Sequence, residues 1–223
     1  MKKALILHSG GQDSTTCLVW ALSKFAEVET ISFDYGQRHR IELECAEKIA
    51  KEVGVKNTVI KVGDIFSQMG KNALTDTSVA IAESGHEKNK SLPTTFVPGR
   101  NLFFLTIAGS FAYGRGIHDL VTGVCQTDYS GYPDCRDDTV RAMESALRKG
   151  MDYDISIHTP LMFLTKADTV RIMRDHGKLD LLKYSHTCYE GARPACGKCP
   201  ACVLRLRGFA ESGEKDPLEY ATH

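Results

Sequence analysis

The segment Ser9-Gly10-Gly11-Gln12-Asp13-Ser14 constrains this chain more than any other, because of what flanks it. Ahead of it, Ala4-Leu5-Ile6-Leu7 is an apolar run with the length and composition of a strand buried on both faces. Behind it, Cys17, Leu18, Ala21, Leu22 and Phe25 recur at helical spacing across residues 15–25. A strand that turns through two glycines into a helix offers free backbone N–H groups and the positive end of a helix dipole to an anion. Gly10 and Gly11 lack the Cβ atoms that would hold a phosphate off the backbone. Ser9 and Ser14 add hydroxyl donors. Such a turn suits a polyphosphate.

The turn is not of the Walker type, which closes a longer glycine-rich stretch in Gly-Lys-Ser/Thr. Asp13 occupies the cradle instead, where a bare carboxylate would repel phosphate. It is tolerable if it caps the helix, or if it meets the phosphates through Mg²⁺. Two glycines alone equally suit an ordinary tight turn. The complete string with its flanks resembles the phosphate loop of the PP-loop ATP pyrophosphatases. That resemblance, and not the spacing, implies cleavage of ATP to AMP and pyrophosphate.

Lysine plus arginine and aspartate plus glutamate both number 28 in 223 residues, so no net positive field favours DNA or RNA. No apolar run approaches the roughly 20 residues needed to span a membrane. Met1 leads directly into the first strand without a signal-peptide pattern, so the cytoplasm is the expected compartment.

Strand and helix patterns then alternate. Strands are expected at 30–33, 58–62, 119–124 and 153–158, and helices at 40–53, 101–113 and 137–149. Thr165-Lys166-Ala167-Asp168 matches a capping box that opens a helix to His176, with Gly177 beyond it. Residues 67–93, polar and broken by Gly70, Gly85 and Pro93, read as a lid or substrate loop. Repeated β–α units predict an α/β fold with a doubly wound parallel sheet over 1–160, followed by a helical region over 161–223.

Ligands of such sheets lie beyond the carboxyl ends of the strands, where strand order reverses. Asp34-Tyr35-Gly36-Gln37-Arg38 and Gln126-Thr127-Asp128-Tyr129 both follow strands at that edge, though either equally fits a solvated loop. Pro98-Gly99-Arg100-Asn101 puts a guanidinium at a helix start, suited to grip a phosphate or carboxylate, or to remain in solvent. Lys166 is a second phosphate candidate with the same solvated alternative.

Cys188, Cys196, Cys199 and Cys202 fall within 15 residues, among Gly191, Pro194, Gly197 and Pro200, which let the chain wrap an ion. The spacing fits tetrahedral Zn²⁺, with disulfides or an Fe–S cluster as alternatives and His186 as a substitute ligand. An all-cysteine set leaves no open position, so the metal would be structural. Arg193, Lys198, Arg205 and Arg207 stand near enough in sequence to offset the excess thiolate charge. Cys17 and Cys45 fall on apolar helical faces and read as packing residues, whereas Cys125 and Cys135 flank the presumed substrate loop.

Ser9 to Ser14, Phe33 to His39, Thr95 to Asn101, Gly123 to Arg136 and the four cysteines together resemble the 7-cyano-7-deazaguanine (preQ0) synthase family of queuosine biosynthesis. The resemblance runs from the first strand to Cys202 and implies a Rossmann-like PP-loop fold with a C-terminal zinc module. It implies an ATP-dependent ligase that joins 7-carboxy-7-deazaguanine and ammonia through adenylated intermediates. It further implies a cytoplasmic homodimer that works on small molecules, without nucleic acid or membrane. On that basis His8, Ser9, Gly10, Gly11, Gln12, Asp13, Ser14, Phe33, Tyr35 and Gln37 would hold ATP with Mg²⁺. Asp13, Ser14, Arg100 and Lys166 would be catalytic, and Asp128, Tyr129, Ser130, Asp134 and Arg136 would read the deazaguanine. Competing readings are a PP-loop tRNA-thiolating enzyme with Cys125 as the persulfide, an amide ligase of the NAD or GMP synthetase type, and a zinc module that binds nucleic acid or protein.

Overall fold

A computed structural model of the chain describes residues 2–37, 40–63, 65–68, 73, 78, 94–127 and 132–221. Five parallel strands form one sheet: β1 (Lys3–Leu7), β2 (Glu27–Asp34), β3 (Lys56–Lys61), β4 (Asp119–Val121) and β5 (Ser156–His158). Their order is β3-β2-β1-β4-β5. The chain builds outward from β1 to β3, then crosses back to lay β4 on the other side of β1, pairing Ala4 with Asp119 and Ile6 with Val121. Strand order therefore reverses between β1 and β4, the place where such sheets open a crevice.

Seven helices accompany the described strands: α1 (Gln12–Leu22), α2 (Ile41–Glu52), α3 (Ile65–Gln68), α4 (Arg100–Tyr113), α5 (Asp137–Met151), α6 (Lys166–Asp175) and α7 (Pro200–Ser212). Alternation along β1 divides its side chains between two cores. Leu5 packs with Ile31, Leu105, Leu120, Val140 and Ile157 under α4 and α5. Ala4 and Ile6 pack with Leu18, Ile49, Val170 and Phe209 under α1, α2, α6 and α7. Leu5 and Ile6 are wholly buried, each contributing about 1.5–3 kcal/mol of apolar transfer.

Several boundaries differ from the sequence reading. Helix α1 starts at Gln12 because Gly11 already serves as its N-cap, so Asp13 and Ser14 lie in its first turn. Strand β4 stops at Val121, since Gly123 bends against the Asp13–Ser14 backbone, where an added Cβ would lie 3.1 Å from the Asp13 carbonyl carbon. Strand β5 starts at Ser156, because α5 runs on to Met151 and Asp152 closes it in the left-handed region. The capping box at α6 is formed as expected, with Thr165 and Asp168 exchanging hydrogen bonds. Gly70, Gly85 and Pro93 lie outside the described residues.

Beyond α6 the chain is tied down by Arg205, which is completely buried. Its guanidinium donates in fork fashion to both oxygens of Asp216 at 2.8 Å, and also to Ser185, Thr187 and the Leu182 carbonyl. One cation thus joins α7, the tail and the segment leading to Cys188. Arg205 pairs with Asp216 and Arg207 with Glu211.

Replacing Asp216 by Asn would strand a buried guanidinium. The expected cost is about 3–5 kcal/mol of unfolding free energy, read from urea titration. A loss below about 1 kcal/mol would show that this pair does not anchor the C-terminal region.

Candidate functional site

The turn after β1 is held open by its neighbours. Gly10 has φ +82°, and a Cβ there would lie 2.3 Å from the Glu42 carbonyl oxygen, so α2 packs directly on its backbone. From the other side the His186 N–H donates to the Gly10 carbonyl at 2.9 Å. The Ser9 and Ser14 hydroxyls lie 3.1 Å apart, and Ser9 accepts from the Gly11 N–H at 3.3 Å. No side chain caps α1, so the N–H groups of Gln12, Asp13 and Ser14 have no intrahelical partner. Three donors and a dipole end face one direction.

Asp13 does not serve as the cap. Both its oxygens accept from Lys166 Nζ, at 2.9 and 2.8 Å, which cancels the charge a phosphate would otherwise meet. Lys166 is only 11% exposed and is no solvated surface lysine. It lies along α7 at Gly208, where a Cβ would come within 2.6 Å of Lys166 Cγ. Gln12 ties the same helices together by donating to Thr169 Oγ1 at 3.2 Å.

A cavity of about 380 Å³ opens at the β1/β4 crevice. His8, Ser9, Gly11, Gln12, Asp13, Ser14, Phe33, Tyr35, Gln37, Arg100 and Lys166, all singled out from the sequence, line it. Gln37 shapes the end of β2, accepting from the Tyr35 N–H at 2.9 Å and donating to the Phe33 carbonyl at 3.1 Å. Phe33 stacks on Phe104 with centroids 4.3 Å apart. Asp134 and Arg136 do not line the cavity. Asp134 instead accepts from the Asn101 N–H at 3.0 Å, fixing the start of α4 and hence Arg100. Asp128, Tyr129 and Ser130 lie outside the described residues.

The wall facing the phosphate turn was not foreseen. It carries Glu42, Tyr132 and Tyr189 beside Tyr35 and Arg100. Burial pushes the Glu42 carboxyl up to about 7, against the pull of the Arg100 guanidinium. Burial likewise raises the Tyr35 phenol, again opposed by Arg100, which hydrogen-bonds it. In the sequence Glu42 looks like one more acid on a charged helix. Only the closeness of α2 to Gly10 turns it inward.

The four cysteines of the C-terminal segment are buried, and their sulfurs all lie within 4.8 Å of one another. Cys199 is the N-cap of α7 and Pro200 its first residue, so a helix N-terminus faces the cluster. Backbone N–H groups of Cys196 and Cys199 donate to the sulfurs of Cys188 and Cys196, favouring thiolates. Ligation at about 2.3 Å sets tetrahedral sulfurs about 3.8 Å apart, so a small contraction would close the set on an ion. His186 is no ligand: its ring engages the Cys188 carbonyl at 2.9 Å. Cys188 and Tyr189 also line the cavity, so the cluster fixes part of its wall. Cys17 and Cys45 are buried as expected, with Arg193 donating to Cys45 Sγ at 2.8 Å.

A family model described as "Queuosine biosynthesis protein QueC" matches residues 3–213. Two curated relatives, each called 7-cyano-7-deazaguanine synthase, are 58% identical. The one from Chromobacterium violaceum aligns over 97% of this chain and 93% of its own length. The one from Laribacter hongkongensis aligns over 96% and 93%. The chain belongs to this family. Among solved structures, a predicted subunit of tRNA methyltransferase from Methanocaldococcus jannaschii is 17% identical, with TM-score 0.52 over 100% of this chain and 94% of that one. A 4-thiouridine synthetase solved in an RNA complex with bound ATP is 17% identical, with TM-score 0.53 over 95% of this chain and 50% of that one. Both share the overall fold of this chain.

His8 offers a test of the cradle's electrostatics. It is 1% exposed, its Nδ1 has no partner among the described residues, and burial pushes its imidazole down to about 4. The unfolded chain takes up this proton near pH 6.5, so the contribution is intact above that pH and is lost as pH falls toward 4. Between pH 7 and 4.5 a His8→Phe variant should gain about 2 kcal/mol on the wild type, measured by urea titration at both values. A difference that does not change with pH would contradict a neutral buried ring.

Proposed function

We propose that this member of the queuosine biosynthesis family is a C–N bond-forming ligase, converting 7-carboxy-7-deazaguanine and ammonia to 7-cyano-7-deazaguanine with ATP. Family membership over residues 3–213, with a built anion cradle at the sheet's switch point, is the observation that carries this reading.

The chemistry explains why such a cradle is needed. A carboxylate oxygen is a poor leaving group, so it must first attack the α-phosphorus and displace pyrophosphate. Ammonia then adds to the acyl-adenylate, sheds a proton and expels AMP to leave an amide. A second activation at the amide oxygen, followed by loss of AMP and of the nitrogen's protons, yields the nitrile. In this reading Ser9, Gly10, Gly11, Asp13 and Ser14 hold the pyrophosphate half of ATP, and the N–H groups of residues 12–14 receive its charge. Phe33, Tyr35 and Gln37 border the adenine. Lys166 and Arg100 supply positive charge as the α-phosphorus becomes five-coordinate. Mg²⁺, with Asp13 in reach, would neutralise phosphate charge when bound. Asp128, Tyr129 and Ser130 would read the deazaguanine, while Asp134 and Arg136 act by shaping the start of α4 and α5.

Zn²⁺ is the proposed occupant of Cys188, Cys196, Cys199 and Cys202, where it would fasten the segment that carries Tyr189. The balanced charge supports small-molecule substrates rather than nucleic acid. No described helix is long and apolar enough to cross a membrane. A cytoplasmic homodimer belongs to the same proposal, on the strength of the family resemblance.

Incubation with ATP, Mg²⁺, ammonium and 7-carboxy-7-deazaguanine, followed by mass spectrometry, should reveal the nitrile and AMP. Absence of the nitrile would end the assignment.

A further inference from the structure

A 7-deazaguanine presents two parallel donors on its pyrimidine ring, the N1–H and the exocyclic amine. The acceptor that matches this pair is a carboxylate, whose two oxygens can each take one hydrogen bond. Among the described residues, two carboxylates line the cavity, Asp13 and Glu42. Asp13 is occupied, since Lys166 Nζ binds both its oxygens. Glu42, by contrast, is drawn to the Arg100 guanidinium by charge and makes no side-chain hydrogen bond among the described residues. It stands on the first turn of α2, whose position is set by contact with Gly10. Phe104, Tyr132 and Tyr189 line the same cavity and offer faces to a flat heterocycle.

We propose that the Glu42 carboxylate reads the N1–H and exocyclic amine edge of the deazaguanine, and so sets the enzyme's preference for a guanine-like base. This rests on the function proposed above. Among the described residues, the groups facing Glu42 are Arg100 from α4, Tyr35 beyond β2, Tyr189 from the cysteine segment and Cys45 on its own helix. Of these only Arg100 is a cation, and its charge favours the ionised carboxyl that recognition requires. With the carboxyl titrating at about 7, substrate affinity should improve as pH rises.

The test is steady-state kinetics on the full chain with 7-carboxy-7-deazaguanine and its analogue lacking the exocyclic amine. In Glu42→Gln, KM for the natural substrate should rise about 100-fold, with KM for ATP and kcat within about threefold. Wild type should prefer the natural substrate over the analogue, and the variant should largely lose that preference. Wild-type KM should also fall about tenfold from pH 6 to pH 8, and less for the analogue, a reading that needs no variant. An unchanged KM in the variant, or a loss confined to kcat, would overturn the proposal, as would a pH-independent wild-type KM. Failure of wild type to make any nitrile would instead overturn the function on which it rests.

Discussion

A helix that begins without a side-chain cap leaves its first N–H groups to whatever arrives, and α1 is such a helix. The rest of the molecule is arranged to keep that start open and in place. Helix α2 presses on Gly10, β4 ends where Gly123 meets the Asp13–Ser14 backbone, and His186 holds the Gly10 carbonyl. Lys166 neutralises the one acid in the turn. Elements from β1 to the segment before Cys188 meet within a few ångströms of the six residues 9–14. A conformational requirement of the turn thus becomes a requirement on the whole chain order.

The cysteine cluster belongs to the same arrangement. Its first member, Cys188, borders the cavity together with Tyr189, and the segment before it is gripped by the buried Arg205. Closing four thiolates on an ion shortens no reaction step. It would restrict the loop that frames the site, much as a cross-link does. The tail contributes through Asp216 and Tyr220, whose hydroxyl donates to Asp216 at 2.6 Å.

Much of this was legible in the residues. The Ser9–Ser14 string, the capping box at Thr165 and the cysteine spacing are local signals, each tied to backbone geometry over a few positions, and each was readable from sequence. The parallel sheet followed from alternating apolar runs. What escaped was long-range. Glu42 faces the cavity because α2 lies against a glycine 32 residues earlier, a contact no periodicity reports. Arg205 looked like a cation near the cysteines, yet its partner is an acid in the tail. Strand ends were misjudged at β4 and β5 because a close backbone approach and a left-handed Asp152, rather than apolar runs, decide where pairing stops. Asp134, expected at the substrate, accepts from the Asn101 N–H in the first turn of α4, a contact its sequence neighbourhood does not announce.

The most direct measurement is a crystal structure of the protein with a non-hydrolysable ATP analogue and Mg²⁺. The terminal phosphates should lie against the N–H groups of residues 12–14, with the adenine beside the end of β2. A nucleotide bound elsewhere, with the turn between β1 and α1 empty, would contradict the central role given to that helix start.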